Sequence, residues 1–141
     1  ALFRHLLDWL LLPVLVLRYT RPQSSIEYQE MIPCILMVYQ QLQQTHQPLG
    51  FVADNRKMGA LNPDDLEWAT NTFNEGALKL GMPGVFAVEA EGEFARMDVA
   101  QYAQVAEQQQ QLPGQLFPSL EQALAALRSM LEEIKKRREP N

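Results

Sequence analysis

The sequence predicts an α/β fold: a mixed, mainly parallel sheet of about five strands flanked by about four helices and opening with a β-hairpin. Three observations lead there. Apolar runs of strand length alternate with segments of helical period from Ser24 onward, most of the helical segments open on a recognisable cap, and the first two apolar runs flank a polar interruption and a proline. Alternation of this kind favours parallel strands joined by right-handed crossovers. A chain of 141 residues suits one domain, spanning residues 1–141, that buries roughly two-thirds of the surface its unfolded form exposes.

The first two runs, Leu2 to Leu7 and Val14 to Tyr19, are separated by Asp8, Trp9 and Pro13, and proline cannot donate to a central ladder. They read as a hairpin. Val14-Leu15-Val16-Leu17 does not alternate, and a continuous branched run marks a strand covered on both faces.

Ser24-Ser25-Ile26-Glu27 is a capping box, in which hydroxyl and carboxylate each satisfy an orphan backbone N–H. Met31, Ile35, Val38 and Leu42 follow at helical spacing. Pro33 is expected to kink this helix or force a restart, and the helix should fade around His46 to Pro48. Leu49 to Asp54 reads as a short strand, and Asn55 to Leu61 as a polar loop. Asn62-Pro63-Asp64-Asp65 then starts a helix with a cap, a proline at the first position and acids facing the positive dipole end. Its stripe is Leu66, Ala69, Phe73, Ala77 and Leu80, and Gly81 with Pro83 ends it.

Gly84 to Ala90 reads as another buried strand, followed by a loop through Glu93 and Phe94. Asp98 is expected to cap a helix carrying Val99, Tyr102 and Val105 that dissolves into the glutamine run Gln108 to Gln111. Gln115 to Pro118 reads as an edge strand. Ser119-Leu120-Glu121-Gln122 is a second capping box, opening a helix with Leu120, Leu124, Leu127, Leu131 and Ile134 on one face.

Composition argues against several function classes. A net charge of −5 and a pI near 5.0 give no electrostatic footprint for nucleic acid. The one dense basic run, Lys135 to Arg138, suits the negative end of a helix. The stretch Leu6 to Leu17 holds Asp8 and Pro13 and falls short of the ~20 residues of a membrane span; it also lacks a small-residue cleavage site before Arg18, so a signal peptide is not expected. The single cysteine, Cys34, supplies neither an internal disulfide nor a metal cage, which fits a reducing, cytoplasmic setting.

The order of elements, the strand Leu49 to Asp54 followed by Asn62-Pro63-Asp64-Asp65-Leu66-Glu67-Trp68, and the ending Leu116-Phe117-Pro118-Ser119-Leu120-Glu121-Gln122-Ala123-Leu124 resemble the SpoIIAA-like branch of the STAS superfamily. The resemblance covers nearly the whole chain. It implies a mixed sheet flanked by helices, partner binding through loops and helix faces, and frequent absence of enzyme activity. The anti-sigma-factor antagonists of that superfamily carry a phosphorylatable serine after the third strand. Here Asp54 to Asp65 contains no Ser or Thr, so a kinase has no hydroxyl there on which to place a charge. The superfamily also resembles lipid-binding SEC14-like folds, which implies a small apolar ligand or lipid as the alternative function.

No catalytic constellation stands out. Neither His5 nor His46 sits near a nucleophile-elbow serine, and Cys34 between Pro33 and Ile35 reads as a small core residue. Gly81 to Gly84 joins a helix to a strand, the reverse of a phosphate-binding loop. Asp64 and Asp65 need only stabilise a helix dipole, and Trp68 reads as a core-edge side chain. Asp54 and Arg56 suit an ion pair or loop brace better than catalysis.

If the strands ending at Tyr19, Asp54 and Ala90 run parallel, their loops share one rim, the edge where open α/β sheets bind ligands. The candidate binding residues there are Arg21, Asp54, Arg56, Met58, Phe94 and Arg96, with Glu91, Glu93 and Met97 beside them. Mixed charge next to Met and Phe suits a protein surface. The expected function is therefore a non-enzymatic interaction or regulatory module that binds a protein partner or itself, with no cofactor, metal or nucleic acid.

Overall fold

The computed structural model describes residues 2–9, 12–108 and 114–138. In chain order the elements are β1 (Leu2–Trp9), β2 (Leu12–Tyr19), α1 (Ser25–Gln43), β3 (Gly50–Asp54), α2 (Pro63–Lys79), β4 (Val85–Val88), α3 (Glu93–Gln108), β5 (Gly114–Phe117) and α4 (Leu120–Arg138). Residues Gln109 to Gln111 of the glutamine run, and Leu10 and Leu11 of the first apolar stretch, lie outside the described residues.

Strands stand in the sheet in sequence order, β1-β2-β3-β4-β5. The pairs β2–β3, β3–β4 and β4–β5 are parallel, while β1 runs antiparallel to β2. A mainly parallel sheet flanked by four helices, broadly STAS-like, is thus the architecture. Because each crossover steps one strand in the same direction, α1, α2 and α3 all fall on one face. Leu15, Leu17 and Tyr19 of β2 pack with those three helices, whereas Val14 and Val16 pack with α4. Successive strand residues point to opposite faces, so the unalternating run of β2 is covered on both, as its composition requires.

Helix caps form largely where the sequence puts them. Ser24 and Glu27 make both halves of the capping box, and Asn62 accepts from the Asp65 N–H at 2.8 Å. At the second box only one half forms, with Ser119 Oγ accepting from the Gln122 N–H at 3.2 Å. Gly81 ends the turn after α2 at φ +73°, a conformation that favours glycine.

Helix α1 continues through Pro33 without a restart; that residue sits on the exposed side, where water can meet the carbonyl one turn back that loses its N–H donor. One expectation fails. Helix α3 begins at Glu93 rather than after Asp98, just past Gly92 at φ +87°. Asp98 is therefore no cap; it lies in the second turn, and its Oδ2 accepts from the Leu61 N–H at 2.8 Å.

Candidate functional site

The parallel strands do bring their following segments to one end of the molecule, and a backbone hydrogen bond from the Glu91 N–H to the Arg56 carbonyl, 2.9 Å, ties the loops after β3 and β4 together. Strand order never reverses, however. The crevice of doubly wound sheets arises at such a reversal, so this sheet lacks the topological basis for one.

The six candidate rim residues divide. Phe94 and Arg96 are exposed, but on the first turns of α3 instead of on a loop. Arg21 is exposed and its guanidinium grips Glu27 through two hydrogen bonds, 2.5 and 3.2 Å. That pairing and the Ser24 backbone N–H hold the Glu27 carboxyl down to about 2. Asp54 is not a surface group, being only 1% exposed. Its Oδ1 and Oδ2 take a forked pair of bonds from Arg56, 2.8 and 2.6 Å, and Oδ2 a third from Arg18 at 3.2 Å. Burial alone raises the Asp54 carboxyl, but hydrogen bonds from the Arg56 side chain and backbone and the charges of Arg56 and Arg18 outweigh it and leave it below the ordinary carboxylate range. Arg18 and Asp54 are direct partners across β2 and β3, so this cluster braces the strand ends. Met58 is likewise buried, 5% exposed, and turns inward. The reason is the tight turn from Asn55 to Met58, closed by the Met58 N–H on the Asn55 carbonyl at 3.1 Å.

Met58 helps to line a cavity of about 50 Å³ between the sheet and helices α1 to α3. Its walls are largely apolar, with Leu17, Ile32, Phe51 and Phe73 among them; its polar groups are the phenols of Tyr19, Tyr28 and Tyr102, with Asn55 and Asp98. The Phe51, Phe73 and Tyr102 rings pack in series, with centroids 5.3 and 6.3 Å apart. Burial pushes all three phenols well above their ordinary value; Tyr28 is pushed further by the charges of Asp65 and Asp98. These tyrosines are neutral hydrogen-bonding groups at any physiological pH.

Outside the cavity, a groove of about 450 Å³ runs between α2 and α3, lined by polar side chains such as Glu67, Thr70, Asn71 and Gln101. Leu61, Leu66 and Asp98 line both spaces, so they form the partition between them. Leu61 is held to that partition by its N–H on Asp98.

The sequence reading passed over two residues. Asp65, taken for a dipole charge, is buried and accepts from Ser25 Oγ at 2.5 Å and Gln29 Nε2 at 3.1 Å, binding the start of α2 to α1. Asn74 is fully buried on α2; its Oδ1 accepts the Tyr102 hydroxyl, and its Nδ2 is the one buried side-chain atom among the described residues without a partner. An asparagine within an otherwise apolar helical stripe is the only sequence signal either left. Trp68 packs partly buried at the core edge, and His46 Nδ1 meets Thr45 Oγ1 and the Leu42 carbonyl at the end of α1. Cys34 is half-buried. No helix among the described residues is long and apolar enough to cross a membrane.

No protein-family profile, curated protein or solved structure matches the chain.

Proposed function

We propose that this chain is a non-enzymatic interaction module of the SpoIIAA-like STAS type, binding a protein partner through the first turns of α1 and α3. The observation that carries the reading is that, of five exposed large apolar side chains among the described residues, the three most exposed sit at the end where the parallel strands finish: Ile26, Phe94 and Met97, at 71%, 73% and 61%, while Met37 and Leu78 lie further along α1 and α2. Phe94 and Met97, three apart on α3, share a helical face. Large apolar groups held in water by a rigid scaffold are what an interface core uses, with charges such as Arg21, Glu27 and Arg96 at its rim. The hairpin-opened strand order β1 to β5 supports the SpoIIAA-like assignment, and the single cysteine supports a cytoplasmic setting.

The electrostatics support a role without catalysis. The shifted groups move away from neutrality: the phenols up by burial, Glu27 and Asp54 down by their arginines. A general acid or base near pH 7 needs the opposite. The loop from Asp54 to Asp65 has no hydroxyl for a kinase, which supports a reading without the phosphoserine switch of the anti-sigma-factor antagonists.

The test pairs affinity capture with the Phe94→Ala/Met97→Ala double variant. A partner, or a second copy of this chain, should be retained by the parent and lost by the variant at unchanged melting temperature. Equal retention by both removes the surface from consideration.

A further inference from the structure

The cavity beneath the loop 55–62 is separate from the exposed surface just described. Three features converge on it. Its lining is apolar except for three neutral phenols, one amide and one carboxylate, and no Lys, Arg or His is among the lining residues. Tyr102, which lines it, donates to Asn74, whose buried Nδ2 is left without an acceptor one hydrogen bond away from the cavity. Leu61, Leu66 and Asp98 line both it and the larger groove between α2 and α3.

These features define a ligand by exclusion and by fit. Asp98 on the wall and Asp65 close enough to act on Tyr28 put negative potential at the phenols, so an anionic head group such as a fatty carboxylate is disfavoured. Tyr102 has given its proton to Asn74 and is left to accept, as is Asp98, while the Asn55 amide can donate or accept; a hydroxyl, which also does both, matches this set. The cavity, about 50 Å³, is smaller than the ~150 Å³ that holds a benzene ring. A ring-sized guest therefore requires Leu61 and Met58 to withdraw. Methionine adapts its shape at little cost, and Leu61 is held to the partition by one hydrogen bond at its backbone.

We propose that this cavity is a binding site for a small uncharged alcohol or phenol, which enters from the α2–α3 groove past Leu61 and places its hydroxyl among Tyr19, Tyr28, Tyr102 and Asp98.

The experiment titrates the intact chain with benzyl alcohol, toluene and benzoate and follows the methyl groups by NMR. Benzyl alcohol should give saturable shifts at Leu17, Met58, Leu61 and Leu66, and benzoate, of the same size but charged, should bind at least about tenfold more weakly. Toluene should enter but lose the hydroxyl's share of the affinity. Ala53→Leu fills the cavity from the sheet side and should abolish the shifts without touching Phe94 or Met97, so partner binding survives even if this site is wrong. Should that variant fail to fold, Leu61→Ala decides: by opening the partition it should speed association. Equal binding of benzoate, or shifts confined to surface methyls, overturns the site; so does a folded Ala53→Leu that still binds, or an unchanged association rate in Leu61→Ala.

Discussion

The two faces of this sheet are built from the same strands and differ in almost everything else. On one, α4 alone covers Val14, Val16, Val52, Phe86 and Val88 with Ala123, Leu127 and Leu131, all apolar and all buried. Leu127 lies so close to Gly50 that a Cβ there would come within 2.6 Å of its Cδ2. On the other, three helices cover a wider area and bury five polar or charged residues at or near the strand ends and helix contacts, Asp54, Asn55, Asp65, Thr70 and Asn74. One helix on a flat face can close it completely. Three helices converging on it leave seams, and here the seams hold phenols, an unpaired amide and a void.

The largest effect expected from this contrast is at Leu127. Leu127→Ala removes the centre of the only layer on its side and should cost about 4–5 kcal/mol in urea denaturation, whereas Leu66→Ala, beside a void that lets neighbours relax, should cost about 2–3 kcal/mol. Equal losses would break the distinction. Gly50→Ala comes next. Its new methyl meets Leu127, so it should destabilise by about 1–3 kcal/mol, and the double variant with Leu127→Ala should lose less than the sum of the two singles.

The tyrosines give a pH-dependent test. The chain has four, and Tyr19, Tyr28, Tyr39 and Tyr102 all have phenols raised by burial. An acid whose folded value is raised contributes stability below its unfolded value and loses it above, because only the unfolded state ionises there. Stability should hold up to about pH 10 and then fall, and phenolate absorbance should appear together with unfolding. Tyrosines titrating near 10 in the folded chain would show that the seamed face is open to water. The smallest effect belongs to the exposed end: Phe94→Ala and Met97→Ala should each shift stability by under about 0.5 kcal/mol. A larger loss at either position would show that it packs against the domain, and the exposed apolar end would shrink accordingly.

Much of the fold was legible because it rests on local patterns. The caps at Ser24 and Asn62, the stop at Gly81 and the unalternating β2 each depend on residues within a few positions of one another. Asp98 misled. Its local preference is to begin a helix, but its surroundings decided otherwise: Leu61, 37 positions away, occupies its carboxylate. Of the rim residues, Arg21 and Arg56 stand in segments that follow β2 and β3, because chain direction alone puts them there, while Phe94 and Arg96 stand at the same end but on the first turns of α3. Asp54 and Met58 were not legible as buried, since direction fixes where a residue stands but not which way its side chain turns.

By itself the sequence determined the order of elements, the parallel direction of most strands and the two-sided burial of β2, all of which follow from hydrophobic period and capping chemistry. Only the tertiary structure decided that the Asp54 carboxylate, legible as an ion-pair or brace partner of Arg56, is buried and shared with Arg18, that Tyr19, Tyr28 and Tyr102 line one void, and that Asn74 Nδ2 lacks an acceptor. Those phenols are separated by tens of residues in the chain. They meet because same-direction crossovers stack α1, α2 and α3 on one face, and no local pattern carries the distance between residues on different helices.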